Sequence, residues 1–124
     1  MSQHILIADD EPNIVVSLEY LMKREGYAVS VARDGEEALA AIRRDRPVLV
    51  LLDVMMPKKT GFEVCQEVRA DEALHGTLIL MLTAKGRETD VARGLGSGAD
   101  AYMSKPFSTR ELVQKVRQML EPRA

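Results

Sequence analysis

Cysteine, tryptophan and long apolar runs are scarce or absent in this 124-residue chain. The single cysteine, Cys65, excludes an internal disulfide framework and favours a reducing compartment. No apolar run approaches the roughly 20 residues that span a bilayer, and the N-terminus lacks the pattern of a secretion signal. The formal net charge of -2 gives no reason to expect nucleic-acid or membrane binding through bulk electrostatics. Composition therefore predicts a cytoplasmic globular domain without direct nucleic-acid or membrane contacts.

Apolar segments of strand length alternate with segments of helical periodicity along the chain. The predicted strands are Ile5–Ala8, Ala28–Ala32, Val48–Leu52, Leu78–Leu82 and Ala101–Ser104. Three of them are continuous apolar runs, which is typical of strands buried on both faces of a parallel sheet. Three helix starts are marked by a capping residue with a glutamate three positions later, at Asp34, Thr60 and Ser108. The alternation predicts an α/β fold with a parallel sheet covered by helices on both faces.

Polar side chains follow several of the predicted strands directly: Asp9, Asp10, Asp53, Thr83 and Lys105. Because ligands of such folds bind at the carboxyl ends of the strands, we expect these side chains to converge there. Clustered carboxylates repel one another unless a cation is present, and oxygen ligands favour Mg²⁺ over zinc. A carboxylate can also attack phosphorus and form an acyl phosphate. Asp53 stands alone at the central strand and is the best nucleophile, whereas Asp9 and Asp10 are better placed as metal ligands.

Short motifs in a fixed order then match a known family. They are Ala8-Asp9-Asp10-Glu11-Pro12, Leu52-Asp53-Val54-Met55-Met56-Pro57, Leu82-Thr83-Ala84, Gly98-Ala99-Asp100 and Lys105-Pro106-Phe107. With these motifs, the chain resembles the receiver domain of two-component response regulators from about Ile5 to Leu120. The resemblance implies a flavodoxin-like (βα)5 three-layer sandwich whose five-stranded parallel sheet has the order 2-1-3-4-5. It also implies a single receiver domain over residues 1–124, without an effector domain.

The resemblance further implies the metal ligands. Asp10, Asp53 and the backbone carbonyl of Met55 would bind Mg²⁺, for which Mn²⁺ is a possible substitute, and Asp9 would act through a bound water. Asp53 would be the phosphoacceptor. The donor would be a sensor histidine kinase or a histidine phosphotransfer protein. The domain would catalyse only its own phosphorylation and dephosphorylation, so it is expected to be a signalling domain rather than an enzyme.

The resemblance also implies a switch. Lys105, the Thr83 hydroxyl and the backbone of Met55 and Ala84 would hold the phosphoryl group. Thr83 would move inward, and Tyr102 on strand five would rotate into the space that Thr83 leaves. The face formed by helix four, strand five and helix five would then change its preference for a downstream effector protein or a fused output domain. The chain would be a monomer or a homodimer promoted by phosphorylation, and Lys105-Pro106 would be a cis peptide.

Two other functions remain open at this point. One is an aspartate-nucleophile phosphatase of another α/β fold. Such enzymes typically carry a second aspartate two residues after the nucleophile, where this chain has Met55. The other is a pseudo-receiver, an interaction module that is never phosphorylated. The presence of Asp10, Asp53, Thr83 and Lys105 together argues against it.

Overall fold

The computed structural model describes residues 3–84 and 98–121. Its strands are β1 (His4–Ala8), β2 (Ala28–Ala32), β3 (Leu49–Asp53), β4 (Leu78–Ala84) and β5 (Ala101–Lys105). Its helices are α1 (Pro12–Arg24), α2 (Gly35–Asp45), α3 (Gly61–Ala70) and the C-terminal helix (Thr109–Leu120). The five predicted strands are therefore confirmed to within two residues at each end. The helix predicted between the fourth and fifth strands falls in residues 85–97, outside the described residues.

The five strands form one parallel sheet in the order β2-β1-β3-β4-β5, which confirms the predicted topology. Ala8 pairs with Ala32 on β2 and with Leu52 on β3. The strand order reverses between β1 and β3, and such a reversal opens a crevice at the carboxyl ends of the strands. At the other side of that crevice, Ala84 pairs with Lys105 at the ends of β4 and β5. The residues that end these strands therefore share one edge of the sheet, which we call the site edge.

Each face of the sheet is covered by two of the described helices. Alternate strand residues, such as Leu6 and Ala8, pack with α2 and α3 on one face. The intervening residues, such as Ile5 and Ile7, pack with α1 and the C-terminal helix on the other face. Both sets are almost completely removed from solvent, which explains why these strands read as continuous apolar runs. Among the helices of the described residues, none combines the length and apolar character that crossing a bilayer requires.

The predicted capping residues begin their helices as expected. The Asp34 carboxylate accepts a hydrogen bond from the backbone three residues later at 2.8 Å, and the Ser108 hydroxyl accepts the equivalent bond at 3.0 Å. At Thr60 both bonds of a capping box form with Glu63. Such a cap contributes about 1 kcal/mol. The caps at Asp34 and Thr60 also fix where α2 and α3 begin, and both helix starts border the segment that follows Asp53.

Candidate metal centre

Three carboxylates meet at the site edge. Asp9 directly follows β1 and Asp53 ends β3, and these two strands are neighbours. Asp9, Asp10 and Asp53 each place one carboxylate oxygen within 4.8 Å of the others. Asp9 and Asp53 are buried, whereas Asp10 is exposed. The structure therefore brings together the three acids that the sequence analysis singled out.

Lys105 provides the positive charge at this cluster. Its Nζ lies 3.0 Å from Asp9 Oδ2 and 3.5 Å from Asp53 Oδ1. Burial acts to lower the pKa of Lys105, but the hydrogen bond to Asp9 and the nearby negative charges outweigh burial and raise it. Lys105 is therefore a permanent cation at neutral pH. It also lies 3.4 Å from the Glu11 carboxylate, a contact that the sequence analysis did not predict, although Glu11 directly follows the acidic pair.

The charge balance leaves Asp53 poorly compensated. Burial and the negative charge of Asp9 raise the pKa of Asp53 to about 6, although Lys105 and a hydrogen bond from the Met55 backbone act in the opposite direction. A divalent cation among these carboxylates would favour the ionised form of Asp53. The three side chains offer only oxygen ligands, which suit Mg²⁺. The described residues therefore fit a magnesium ion.

Thr83 brings a polar group that lacks a partner within the described residues. It is 1% exposed, and its Oγ1 has no hydrogen-bond partner there. Thr83 follows Leu82, which pairs with Asp53 across β3 and β4. A buried hydroxyl without a partner is costly, and native proteins rarely keep one without a reason. A ligand that accepts a hydrogen bond at the site edge would remove that cost.

The remaining predicted residues lie around this cluster. Met55 is 54% exposed, while its backbone acts to lower the pKa of the Asp53 carboxylate. The backbone of Ala84 lies at the end of β4, beside Lys105. Tyr102 is 40% exposed, so part of it is accessible to solvent. The Lys105-Pro106 peptide bond is cis, as the resemblance implies.

Comparison with known proteins identifies the family. The family model described as the response regulator receiver domain matches residues 5–117. The chain belongs to this family. Over 120 residues it is 48% identical to the alkaline phosphatase synthesis transcriptional regulatory protein PhoP of Bacillus subtilis strain 168, covering 97% of this chain and 49% of PhoP. The chain thus spans about half the length of that curated relative.

Solved structures agree with this assignment. The chemotaxis response regulator CheY4 of Vibrio cholerae superposes with a TM-score of 0.90 at 32% identity, over 97% of this chain and 100% of CheY4. The receiver domain of the Pseudomonas aeruginosa PAO1 sensor histidine kinase PA1611 has a TM-score of 0.88 at 29% identity, over 96% of this chain and 98% of that domain. Its active-site cleft coordinates a magnesium ion. The chain is a receiver domain with the flavodoxin-like fold, the signalling domain of two-component systems.

Proposed function

We propose that this receiver domain takes a phosphoryl group onto Asp53 in a reaction that requires Mg²⁺. One observation carries the proposal. A buried carboxylate with a raised pKa lies beside a lysine ammonium, two further carboxylates and a strand that carries a hydroxyl without a partner in the described residues. A carboxylate nucleophile, a site for a hard cation and donors for phosphoryl oxygens are what aspartyl phosphorylation needs.

The chemistry follows from these groups. In the transfer step, one Asp53 oxygen forms a bond to phosphorus while the bond from phosphorus to the donor's leaving group breaks. Asp53 must be ionised to attack, and the contact with Lys105 favours that state. Asp10, Asp53 and the Met55 carbonyl would hold Mg²⁺, with Mn²⁺ as a possible substitute, and Asp9 would act through water. The bound cation would neutralise negative charge on the phosphoryl oxygens.

Lys105 and Thr83 are assigned to the phosphoryl group itself. After transfer, the ammonium of Lys105 and the hydroxyl of Thr83 would donate hydrogen bonds to two phosphoryl oxygens, and the backbone of Met55 and Ala84 would serve the remaining acceptors. This use of Thr83 explains why its hydroxyl has no partner among the described side chains and backbone groups. Because Thr83 lies on β4, formation of its hydrogen bond to a phosphoryl oxygen would also move this strand.

That movement would change the surface around β5. Tyr102, exposed in this structure, would turn inward after phosphorylation, and the adjoining face would change its affinity for an effector protein or an output domain. The donor would be a sensor histidine kinase or a histidine phosphotransfer protein in the cytoplasm. Beyond its own phosphorylation and dephosphorylation, the domain would catalyse no reaction.

Intact-mass measurement with acetyl phosphate tests the proposal. Wild-type protein should gain one phosphoryl group in the presence of Mg²⁺ and none in EDTA, and Asp53→Asn should gain none under either condition. Asp45→Asn is a matched control, because Asp45 pairs with Arg44 on the surface at the end of α2. It should behave as the wild type does. A gain that persists in Asp53→Asn would show that another residue is the nucleophile. If the wild type gains no phosphoryl group even with a cognate kinase as donor, a pseudo-receiver would be favoured.

A further inference from the structure

The segment that follows Asp53 is held between the starts of two helices. This segment, residues 54–60, is called the β3–α3 loop here. On one side, the backbone N–H of Gly61 donates to the Val54 carbonyl at 2.8 Å. On the other side, the backbone N–H of Gly35, the first residue of α2, donates to the Pro57 carbonyl at 3.1 Å. The loop thus has a backbone hydrogen bond to the first residue of each helix.

Gly35 is in direct backbone contact with this loop. A Cβ added at Gly35 would overlap the carbonyl oxygen and the Cβ of Lys59 and would lie 2.7 Å from the Lys59 carbonyl carbon. Gly35 is helical, so its conformational freedom does not explain why glycine occupies this position. The reason is the close approach of two backbones, because even a methyl group would push the centre of the loop away from α2.

The position of the loop matters for the site because Met55 belongs to it. The Met55 backbone lies close enough to the Asp53 carboxylate to act on its pKa. The strand fixes the beginning of the loop, and α3 fixes its end. The centre of the loop, where Pro57 and Lys59 contact Gly35, rests against α2. A second link between the same elements is the 3.7 Å approach of the Lys58 ammonium to the Asp34 carboxylate.

We propose that Gly35 is a positioning residue for the metal centre. By seating the β3–α3 loop directly on α2, Gly35 would set where the Met55 carbonyl lies relative to the Asp53 carboxylate. This inference rests on the proposed function, since it concerns the ion expected to bind there. Partners that orient metal ligands typically change metal affinity by about 10- to 100-fold when they are mutated.

The test compares two glycine-to-alanine variants. Gly76 has no neighbour within 4 Å of an added Cβ and an ordinary backbone conformation, so Gly76→Ala is the matched control. Calorimetric titration with Mg²⁺ should show that Gly35→Ala weakens binding by about 10-fold or more, whereas Gly76→Ala binds as the wild type does. Unchanged Mg²⁺ affinity in a folded Gly35→Ala protein would overturn the inference.

A third variant separates positioning from general destabilisation. Val116 is fully buried on the C-terminal helix, so Val116→Ala should lower the unfolding midpoint without touching the loop. If Gly35→Ala loses Mg²⁺ affinity and Val116→Ala keeps it, the effect is specific to the loop. Equal losses of affinity in both variants would overturn the inference, because any destabilisation would then suffice.

A measurement on the wild-type protein covers the case in which Gly35→Ala does not fold. Mg²⁺ should slow hydrogen exchange of the Gly35 amide, because this N–H donates to the loop that the ion fixes. The Glu111 amide, which donates to Ser108 on the C-terminal helix, is the internal reference and should not change. Exchange at Gly35 that is unaffected by saturating Mg²⁺ would overturn the inference. Absence of any Mg²⁺ binding to the wild type would overturn the proposed function as well, so the two failures are distinguishable.

Discussion

The two edges of the sheet, at opposite ends of the strands, differ in how well their charged groups are compensated. At the edge opposite the site, Arg69 donates to the carbonyls of Gly98 at 2.7 Å and Thr77 at 2.8 Å, and to the Asp100 carboxylate at 2.5 Å. The same Asp100 oxygen accepts the Ile79 backbone N–H at 2.8 Å. We call these residues the Arg69 cluster. The planar guanidinium suits such a fork of acceptors, and the carboxylate is well compensated.

The site edge lacks this compensation. Asp9 and Asp53 share the single ammonium of Lys105, the pKa of Asp53 is raised to about 6, and the Thr83 hydroxyl finds no partner among the described residues. Polar groups of the Arg69 cluster therefore satisfy one another, whereas those of the site edge are left partly uncompensated within the described residues. This difference is what the proposed binding of a cation and a phosphoryl group would require, because unsatisfied buried polar groups and perturbed pKa values are frequent at functional sites.

The largest expected effect comes from removing the ammonium of Lys105, the only one among the described residues that contacts the site carboxylates. Lys105→Met should slow phosphorylation by acetyl phosphate at saturating Mg²⁺ by about 100-fold, because a donor to the transferring group is lost. In EDTA the variant should lose about 3 kcal/mol of unfolding free energy, since Asp9 and Asp53 become an unpaired buried couple. Mg²⁺ affinity should increase, because the ion no longer competes with an ammonium.

Phosphorylation kinetics, urea unfolding and calorimetry measure these three quantities on the same protein. Lys23→Met is the matched control, because Lys23 lies on the surface of α1 and pairs only with Glu19 among the described residues. It should leave all three unchanged. Weaker Mg²⁺ binding by Lys105→Met would show that Lys105 organises the carboxylates rather than competing with the ion.

A smaller and purely structural effect is expected at the opposite edge. Arg69→Met removes the guanidinium donor from two carbonyls and from the Asp100 carboxylate, which keeps its bond from the Ile79 N–H. The free energy of unfolding should therefore fall by about 2 kcal/mol. The phosphorylation rate should not change, because the Arg69 cluster lies at the other end of the strands. Arg117→Met is the control, since Arg117 pairs with Glu25 on an exposed surface and should cost well under about 1 kcal/mol. A fall in phosphorylation rate for folded Arg69→Met would contradict the division between the two edges.

Much of this architecture follows from local sequence. Continuous apolar runs predicted three of the five strands, and capping residues predicted the starts of α2, α3 and the C-terminal helix. The gathering of Asp9, Asp10 and Asp53 followed from the rule that parallel strands end at one edge. Their roles in metal binding and phosphorylation stay predictions until they are measured.

Other contacts have no local signature. Gly35 meets Lys59, Lys105 reaches Glu11, and Arg69 reaches Gly98 across 29 residues. Each depends on how separate elements pack, and neither spacing nor periodicity encodes such pairs. The raised pKa of Asp53 has the same origin, because it depends on burial and on neighbours brought together by the fold.

The smallest expected effect is the pH dependence that separates Asp53 from ordinary carboxylates. Its pKa is about 6 in the folded protein and about 3.9 in an unfolded chain. The folded state therefore binds this proton more tightly, so the contribution to stability is complete below about pH 4 and is lost as pH rises through 6. Asp53→Asn has no carboxyl group to ionise at this position, so it does not lose this stability as the pH rises. In EDTA the variant should gain about 1 to 2 kcal/mol relative to the wild type between about pH 4 and pH 7, less than the full shift implies because the site edge borders solvent.

Urea unfolding of both proteins across this pH range measures the difference in their free energy of unfolding. Repeating the measurement with Mg²⁺ provides a second test. Because the ion binds the ionised carboxylate, saturating Mg²⁺ at pH 7 should stabilise the wild type more than Asp53→Asn and reverse the order of the two proteins. Below pH 6, protonation of Asp53 should weaken Mg²⁺ binding, so the reversal should fade as the pH falls. A difference in EDTA that stays constant from pH 4 to pH 7 would mean that Asp53 titrates like an exposed carboxylate. The contrast between the two edges would then rest on geometry alone and not on charge.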